Sequence, residues 1–471
     1  MRRKHMLAIV TGFFETFLFC GVIFGWPYLL GILEDLRIYN DLCKTDQQAY
    51  ATSPAAPSTC PKQQSALNLA FVLATSVTKI LLLPCGYIYD TYGTWATRTL
   101  ATIMFVSNCI LFAVINMQQS WVIYPSALLM CISGDILLMS MVQLSYLSPK
   151  RSSFIMSLII GAYDGSAAVA LVLKSVYDQG ISVQAIFIAY SLLSVFSVTR
   201  TLFLTPKYRF PRNVPADIVY GIRELNCCSE SPQSPENLAH LSSNPPFHLC
   251  SSECRSELRS FRQGLCTVYY WGHIYFLVLG RMLELFFIST VKQWLSALGA
   301  PAHYESAFGI MLISGIALNF VFGIIMDKMT ACFTTRRAEF PMANTVCVIL
   351  IVTIVIAILF CGLILINILP LQYFSFFLFS IFRAFFYNVA YAFVSTVFPS
   401  KDFGKFHGFA FTITGFVSLL QFPIFSSIVV DFKANFDKCI YVFLGMFIAS
   451  LLHPFQIISE ARKKKSPRNA K

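Results

Sequence analysis

Apolar residues run along this chain in blocks of about twenty, the length of helix that a hydrocarbon layer of roughly 30 Å requires. Short polar or charged intervals separate the blocks. The pattern predicts membrane-spanning helices near residues 6–31, 66–89, 99–117, 121–147, 154–177, 183–205, 268–293, 306–326, 343–366, 371–397, 409–430 and 439–459. The first block follows Arg2, Arg3 and Lys4 and continues through Gly21 to Trp26 and Pro27. It lacks a small-residue cleavage pattern, so it reads as an anchor rather than a removed signal peptide.

Composition supports this class. Hydrophobic residues make up 56% of the chain and charged residues 12%, with a mean hydropathy of +0.65. No water-facing surface accommodates such a balance. Basic residues exceed acidic ones, 35 to 23, which in a soluble protein suggests nucleic acid. Here they sit in particular inter-span loops, so topology explains them and no nucleic-acid partner is called for.

With the N-terminus inside, the cytoplasmic segments hold 24 Lys and Arg and the outside segments hold six, namely Arg37, Lys44, Lys62, Lys292, Lys433 and Lys438. This is the positive-inside asymmetry. It predicts both termini in the cytoplasm. Residues 1–205 form a first group of six spans and 268–459 a second, followed by a basic tail at 460–471 whose Arg462-Lys463-Lys464-Lys465 cluster lies next to inner-leaflet lipid. Between the groups, residues 206–267 are rich in Pro, Ser and Glu and read as a flexible cytoplasmic linker.

Cysteine usage divides by compartment. Of the 15 cysteines, Cys43 and Cys60 share the outside loop 32–65, and a disulfide between them is the natural reading. Cys227, Cys228, Cys250, Cys254 and Cys266 lie in the linker on the reducing side. They lack the CxxC framing of a zinc site, and free thiols or reversible acylation remain their readings.

Ionisable residues inside a bilayer are costly unless they face a bundle interior or water. Glu15, Lys79, Asp135, Asp164, Lys174, Arg281, Glu284 and Arg383 all lie within predicted spans. Arg281 and Glu284, three residues apart on one helix, make either an internal ion pair or a substrate contact. Lys174 sits near an outer end, where its long stem lets the charge snorkel. Lys79 and Asp135 are candidates to neutralise each other between packed spans. Glu15, Asp164 and Arg383 remain as substrate candidates, with Tyr163 beside Asp164, Tyr387 one turn after Arg383, and Asp135 as a further acid.

At the inner end of the second span the chain reads Gly86-Tyr-Ile-Tyr-Asp90-Thr-Tyr-Gly93-Thr-Trp-Ala-Thr-Arg98. It resembles the signature loop of the major facilitator superfamily at Gly86, Asp90, Gly93 and Arg98. Gly86 permits close helix approach, Asp90 accepts from helix N-termini or a cation across an interface, and Gly93 permits a tight turn. Thr94 and Trp95 replace the pattern's usual basic pair. A fainter copy, Gly323-Ile-Ile-Met-Asp327-Lys328, ends the eighth span. The resemblance implies an all-α integral membrane protein of about twelve helices in two pseudo-symmetric six-helix halves. The solute site then lies between the halves, with spans one, four, seven and ten lining it.

Further stretches resemble solute carrier family 43. They are Gly21-Val-Ile-Phe-Gly-Trp-Pro27, Arg151-Ser-Ser, Gly161-Ala-Tyr-Asp164-Gly-Ser166, Tyr177-Asp-Gln-Gly-Ile-Ser182, Phe398-Pro-Ser-Lys-Asp-Phe-Gly-Lys405 and Leu420-Gln-Phe-Pro-Ile-Phe425. Two branches of that family matter, one moving large neutral amino acids and one moving nucleobases. Tyr163-Asp164-Gly165-Ser166 is similar to the nucleobase branch. A carboxylate there accepts from adjacent N–H groups on a purine edge, and aromatic side chains stack on the base.

The expected function is therefore facilitated diffusion of purine nucleobases such as adenine, guanine and hypoxanthine across the plasma membrane, by a monomer that needs no cofactor or metal. Transport of large neutral amino acids is the alternative, since Glu15 and Arg383 together suit a zwitterion. An influence on fatty-acid flux is a third reading. An enzyme is disfavoured because the seven His are scattered. Only His273 lies deep in a span, and it reads as a satisfied or cavity-wall residue.

Overall fold

The computed structural model describes residues 3–43, 61–148, 151–208, 221, 261–301, 303–336, 341–398, 402–421, 424 and 432–463. Regular structure among them is entirely helical. Among the described residues, nine helices are long and apolar enough to cross a bilayer, and a bent pair at the N-terminal end makes ten. One of the nine, Ala66–Ala113, holds two of the expected spans. Phe403–Ser418 occupies the place of the eleventh, and most of that span's expected continuation lies outside the described residues. Most of the linker and the end of the tail, 464–471, also lie outside them.

Span one is Arg3–Phe19 followed, across a 3-10 turn at Val22–Gly25, by Trp26–Asp35, with a bend of 42°. Pro27 sits in the first turn of the second piece, where its missing N–H breaks no hydrogen bond. The turn is held by its neighbour: the Gly21 amide donates to Ser166 Oγ at 3.1 Å. It buries Phe24 toward the middle of the molecule.

Spans two and three form the continuous run Pro61–Ala113, broken at Gly93, whose φ is 83°. An L residue is strained in that region, and a Cβ there would stand 2.8 Å from the Lys207 carbonyl oxygen. The expectation of a tight turn at Gly93 holds. Thr94 and Trp95 bind the end of span six: the amides donate to the carbonyls of Tyr208 and Lys207 at 3.3 Å each, and Trp95 Nε1 donates to Thr205 at 3.2 Å.

The remaining spans are Ile123–Val142 (four), Ser152–Gly165 with Ala167–Asp178 (five), Val183–Leu192 with Ser194–Leu204 (six), Val268–Ala297 (seven), His303–Ile313 with Gly315–Thr335 (eight), Pro341–Ile364 (nine), Gln372–Val397 (ten) and Phe432–Ser450 with Leu452–Lys463 (twelve). Spans four and ten are buried along most of their length. Span nine instead exposes Val348, Val352, Val355 and Leu359, a stripe at helical spacing that faces lipid. The two halves meet where span two packs along span eleven and span five along span eight. Cys43 is disulfide-bonded, while Cys60, its expected partner, lies outside the described residues.

Candidate functional site

Spans two, four, five, seven and ten bring ionisable side chains together in the buried middle of the molecule. Arg281 and Glu284 of span seven form the i, i+3 pair, Nη1 to Oε2 at 2.8 Å. The pair is not closed on itself. Tyr387 Oη of span ten donates to Glu284 Oε2 at 2.6 Å and accepts from Arg281 Nη1 at 2.8 Å. Arg383, one turn earlier, donates from Nε to Glu284 Oε1 at 2.9 Å and from Nη2 to Asp164 Oδ1 at 3.3 Å. The second Asp164 oxygen accepts from Asn319 Nδ2 of span eight at 2.9 Å. Asn319 in turn accepts from Asn388, which accepts from Ser157 at 2.6 Å. The chain of contacts thus crosses between the halves and returns.

A second acid and base pair stands alongside. Lys79 of span two meets Asp135 Oδ2 of span four at 2.5 Å, and Tyr163 Oη donates to Asp135 Oδ1 at 2.9 Å. The neutralisation read for Lys79 and Asp135 is what the fold provides. Phe24 completes the level: its ring stands edge-on to Tyr163 at 5.5 Å, and the guanidiniums of Arg281 and Arg383 lie 5.6 and 5.9 Å from its centroid, distances at which cation–π attraction operates. A small cavity lies among Phe24, Thr78, Lys79, Asp135, Tyr163 and Arg281.

Of the predicted substrate residues, Asp164, Tyr163, Arg383, Tyr387 and Asp135 therefore come together, and Glu15 does not. Glu15 is fully buried on the other side of the first half, where Oε1 accepts from Arg98 Nη2 and Ser197 Oγ and Oε2 accepts from Arg200 Nη1, all at 2.5 Å. Arg98, read as part of the gate loop, lies within this cluster and also donates to Thr201 Oγ1 at 2.8 Å. Two guanidiniums from spans three and six hold this carboxylate, which corrects its placement on the solute path. The pairing of Asp164 with Arg383 and Asn319 likewise departs from the expectation of a carboxylate left free for purine N–H groups.

The two carboxylates of the motif loops behave alike. Asp90 Oδ2 accepts from the Lys405 amide at 3.1 Å, in the first turn of span eleven. Asp327 accepts from the Ser153 and Phe154 amides at 3.2 Å each, in the first turn of span five. Asp90, three residues before the Gly93 break, and Asp327, within Gly315–Thr335, each belong to one half and cap a helix of the other, where the orphan N–H groups and the dipole favour an anion. Gly86 and Gly404 let spans two and eleven meet backbone to backbone beside Asp90.

Lys174 pairs with Asp178 and, at 3.3 Å, with Asp35. His273 stacks on Phe393 at 4.0 Å between spans seven and ten, away from Asp164. Among the described residues no group of three or more His, Cys, Asp or Glu is arranged to hold a metal. The sequence reading missed Arg200, Asn319, Asn388 and Phe24 as site or scaffold residues. Arg200 carried a usable signal, a charge inside an apolar block. The two amides carry no charge, so a count of ionisable groups passes over them.

A relative from Bos taurus, equilibrative nucleobase transporter 1, is 28% identical over 98% of this chain and 98% of its own length. The human large neutral amino acids transporter small subunit 3 is 24% identical over 96% of this chain and 92% of its own. Among solved structures, a bacterial homologue of the iron transporter ferroportin in an outward-facing state matches with a TM-score of 0.57 and 12% identity, over 98% of this chain and all of that one. The human organic anion transporter MFSD10 matches with a TM-score of 0.56 and 15% identity, over 96% and 100%. These two speak for the fold. The family pattern described as Major Facilitator Superfamily matches residues 47–420, and with its all-helical fold the chain belongs to that superfamily of membrane transporters.

Proposed function

We propose that this transporter carries purine nucleobases across the plasma membrane by facilitated diffusion, with both termini in the cytoplasm. The two halves, joined by the 206–267 linker, rock about the level of Asp164 and Arg383. The observation that carries the reading is the state of the carboxylates. Asp135, Asp164 and Glu284 present six oxygens, and each already accepts from a protein side chain. Their charges are matched by Lys79, Arg281 and Arg383. A balanced site suits a neutral cargo, because an added ammonium finds no acidic oxygen without breaking an ion pair. Phe24, Tyr163 and Tyr387 supply the aromatic walls for a flat base. In this reading Asp164 serves as a cross-half latch that the cargo displaces.

The 28% likeness to a nucleobase transporter supports the same cargo. The second reading, large neutral amino acids, is favoured by the likeness to the human amino-acid transporter along almost the whole chain and by the two arginines, which suit a carboxylate. Uptake of radiolabelled adenine, hypoxanthine and leucine into proteoliposomes holding the full chain separates them. Purine uptake that equilibrates without an ion gradient is expected. Leucine uptake with no purine uptake would overturn the nucleobase reading.

A further inference from the structure

Arg281 does more than pair with its neighbour on span seven. Its Nη1 is committed to Glu284 and Tyr387. Its Nε and Nη2 find no hydrogen-bond partner among the described residues, although the side chain is only 1% exposed. Buried donors are rarely left unpaired, because nothing replaces the water they lose. Arg281 and Thr78 both line the small cavity beside Phe24, and the Thr78 hydroxyl has only the weak thiol of Cys131 beside it among the described residues. Two unpaired N–H groups on one edge of a planar guanidinium make a fork that matches two adjacent acceptors.

Resting on the nucleobase reading, we propose that Arg281 is a specificity-determining residue. Its Nε and Nη2 donate to the adjacent O6 and N7 acceptors of a 6-oxopurine, with Thr78 as a further donor and the base lying against Phe24. Arginine reads that pair of acceptors bidentately on guanine edges elsewhere. A 6-aminopurine places a donor where the oxo group accepts and loses one of the two bonds. A carboxylate also fits the fork. Here, however, the Arg281 charge is already met by Glu284, so a neutral acceptor gains the hydrogen bonds without adding a second anion.

The test is uptake of hypoxanthine, adenine and leucine in proteoliposomes with the full-length protein, the Arg281→Lys and Thr78→Val variants, and signals normalised to reconstituted protein. Lysine keeps the positive charge and loses the fork. The wild type should favour hypoxanthine over adenine. Arg281→Lys should raise the KM for hypoxanthine about tenfold or more and that for adenine much less, as expected when a site built to bond a polar group loses its partner. Thr78→Val should shift the ratio in the same direction, and it breaks no ion pair should Arg281→Lys fail to fold. An unchanged hypoxanthine-to-adenine ratio in both variants, with both purines carried, overturns this inference and leaves the nucleobase reading standing. Wild-type uptake of leucine alone overturns both.

Discussion

Arg383 of span ten reaches Asp164 of span five at 3.3 Å, so a buried ion pair ties one six-helix half to the other at the level of the cavity. Each partner has a second contact on the second half, Arg383 on Glu284 and Asp164 on Asn319. When the pair opens, Arg383 keeps a charged partner and Asp164 keeps only a neutral amide, so the Asp164 carboxylate bears the cost of opening.

Asp164→Asn tests that latch. The amide keeps the size of the side chain and the contact with Asn319 while removing the charge that Arg383 faces. Uptake should fall about tenfold, with the protein still reaching the membrane, because Arg383 retains Glu284 and only part of a buried pair is lost. Uptake kinetics set against surface abundance give the readout, and wild-type kinetics would remove Asp164 from the transport cycle.

Glu15→Gln should behave differently. It leaves Arg98 and Arg200 buried without their shared counter-charge, a loss on the order of 3–5 kcal/mol. Lower thermal stability in detergent and low abundance are expected, with an unchanged KM for the protein that does fold. Adding Arg200→Gln should recover part of the stability by removing the excess charge. Normal stability with a raised KM would return Glu15 to the solute path.

Asp90→Asn and Asp327→Asn each weaken a cap between the two halves, worth about 0.5–2 kcal/mol apiece by comparison with other helix caps. Both should shift the protein toward inward-open states. In inside-out vesicles, labelling of Cys131 by a membrane-impermeant maleimide, in a background otherwise lacking cysteine, should rise for each variant and further for the double one. No change in labelling would mean that neither cap holds the gate.

Gly93→Ala places a side chain at φ 83°, against the Lys207 carbonyl. A left-handed non-glycine residue costs roughly 1–2 kcal/mol, and the contact with the end of span six adds to it. A drop of several degrees in melting temperature is expected, and an unshifted melting curve would show that the turn relaxes freely.

The sequence by itself determined the helical membrane class, the order and approximate extent of the spans, and the two motif loops around Asp90 and Asp327, because these follow from local properties. A block of apolar residues of bilayer length needs no knowledge of its neighbours, and a positive φ at Gly93 is a property of one residue and its turn. Asp90 and Asp327 were legible as motif positions, while the caps they make on Lys405, Ser153 and Phe154 come from packing between the halves.

Tertiary structure alone decided which charges share a room. Glu15 and Asp164 look alike along the chain, each a lone acid in an apolar block. Arg98 and Arg200 arrive at Glu15 from spans three and six, whereas Arg383 and Asn319 arrive at Asp164 from the other half. Arg281 and Glu284 were visible as neighbours on one helix, but the unpaired edge of the Arg281 guanidinium depends on what span ten places beside it. Such pairings are set by how helices distant in sequence pack, and the cost of leaving a charge unmatched in a low-dielectric interior is what fixes them.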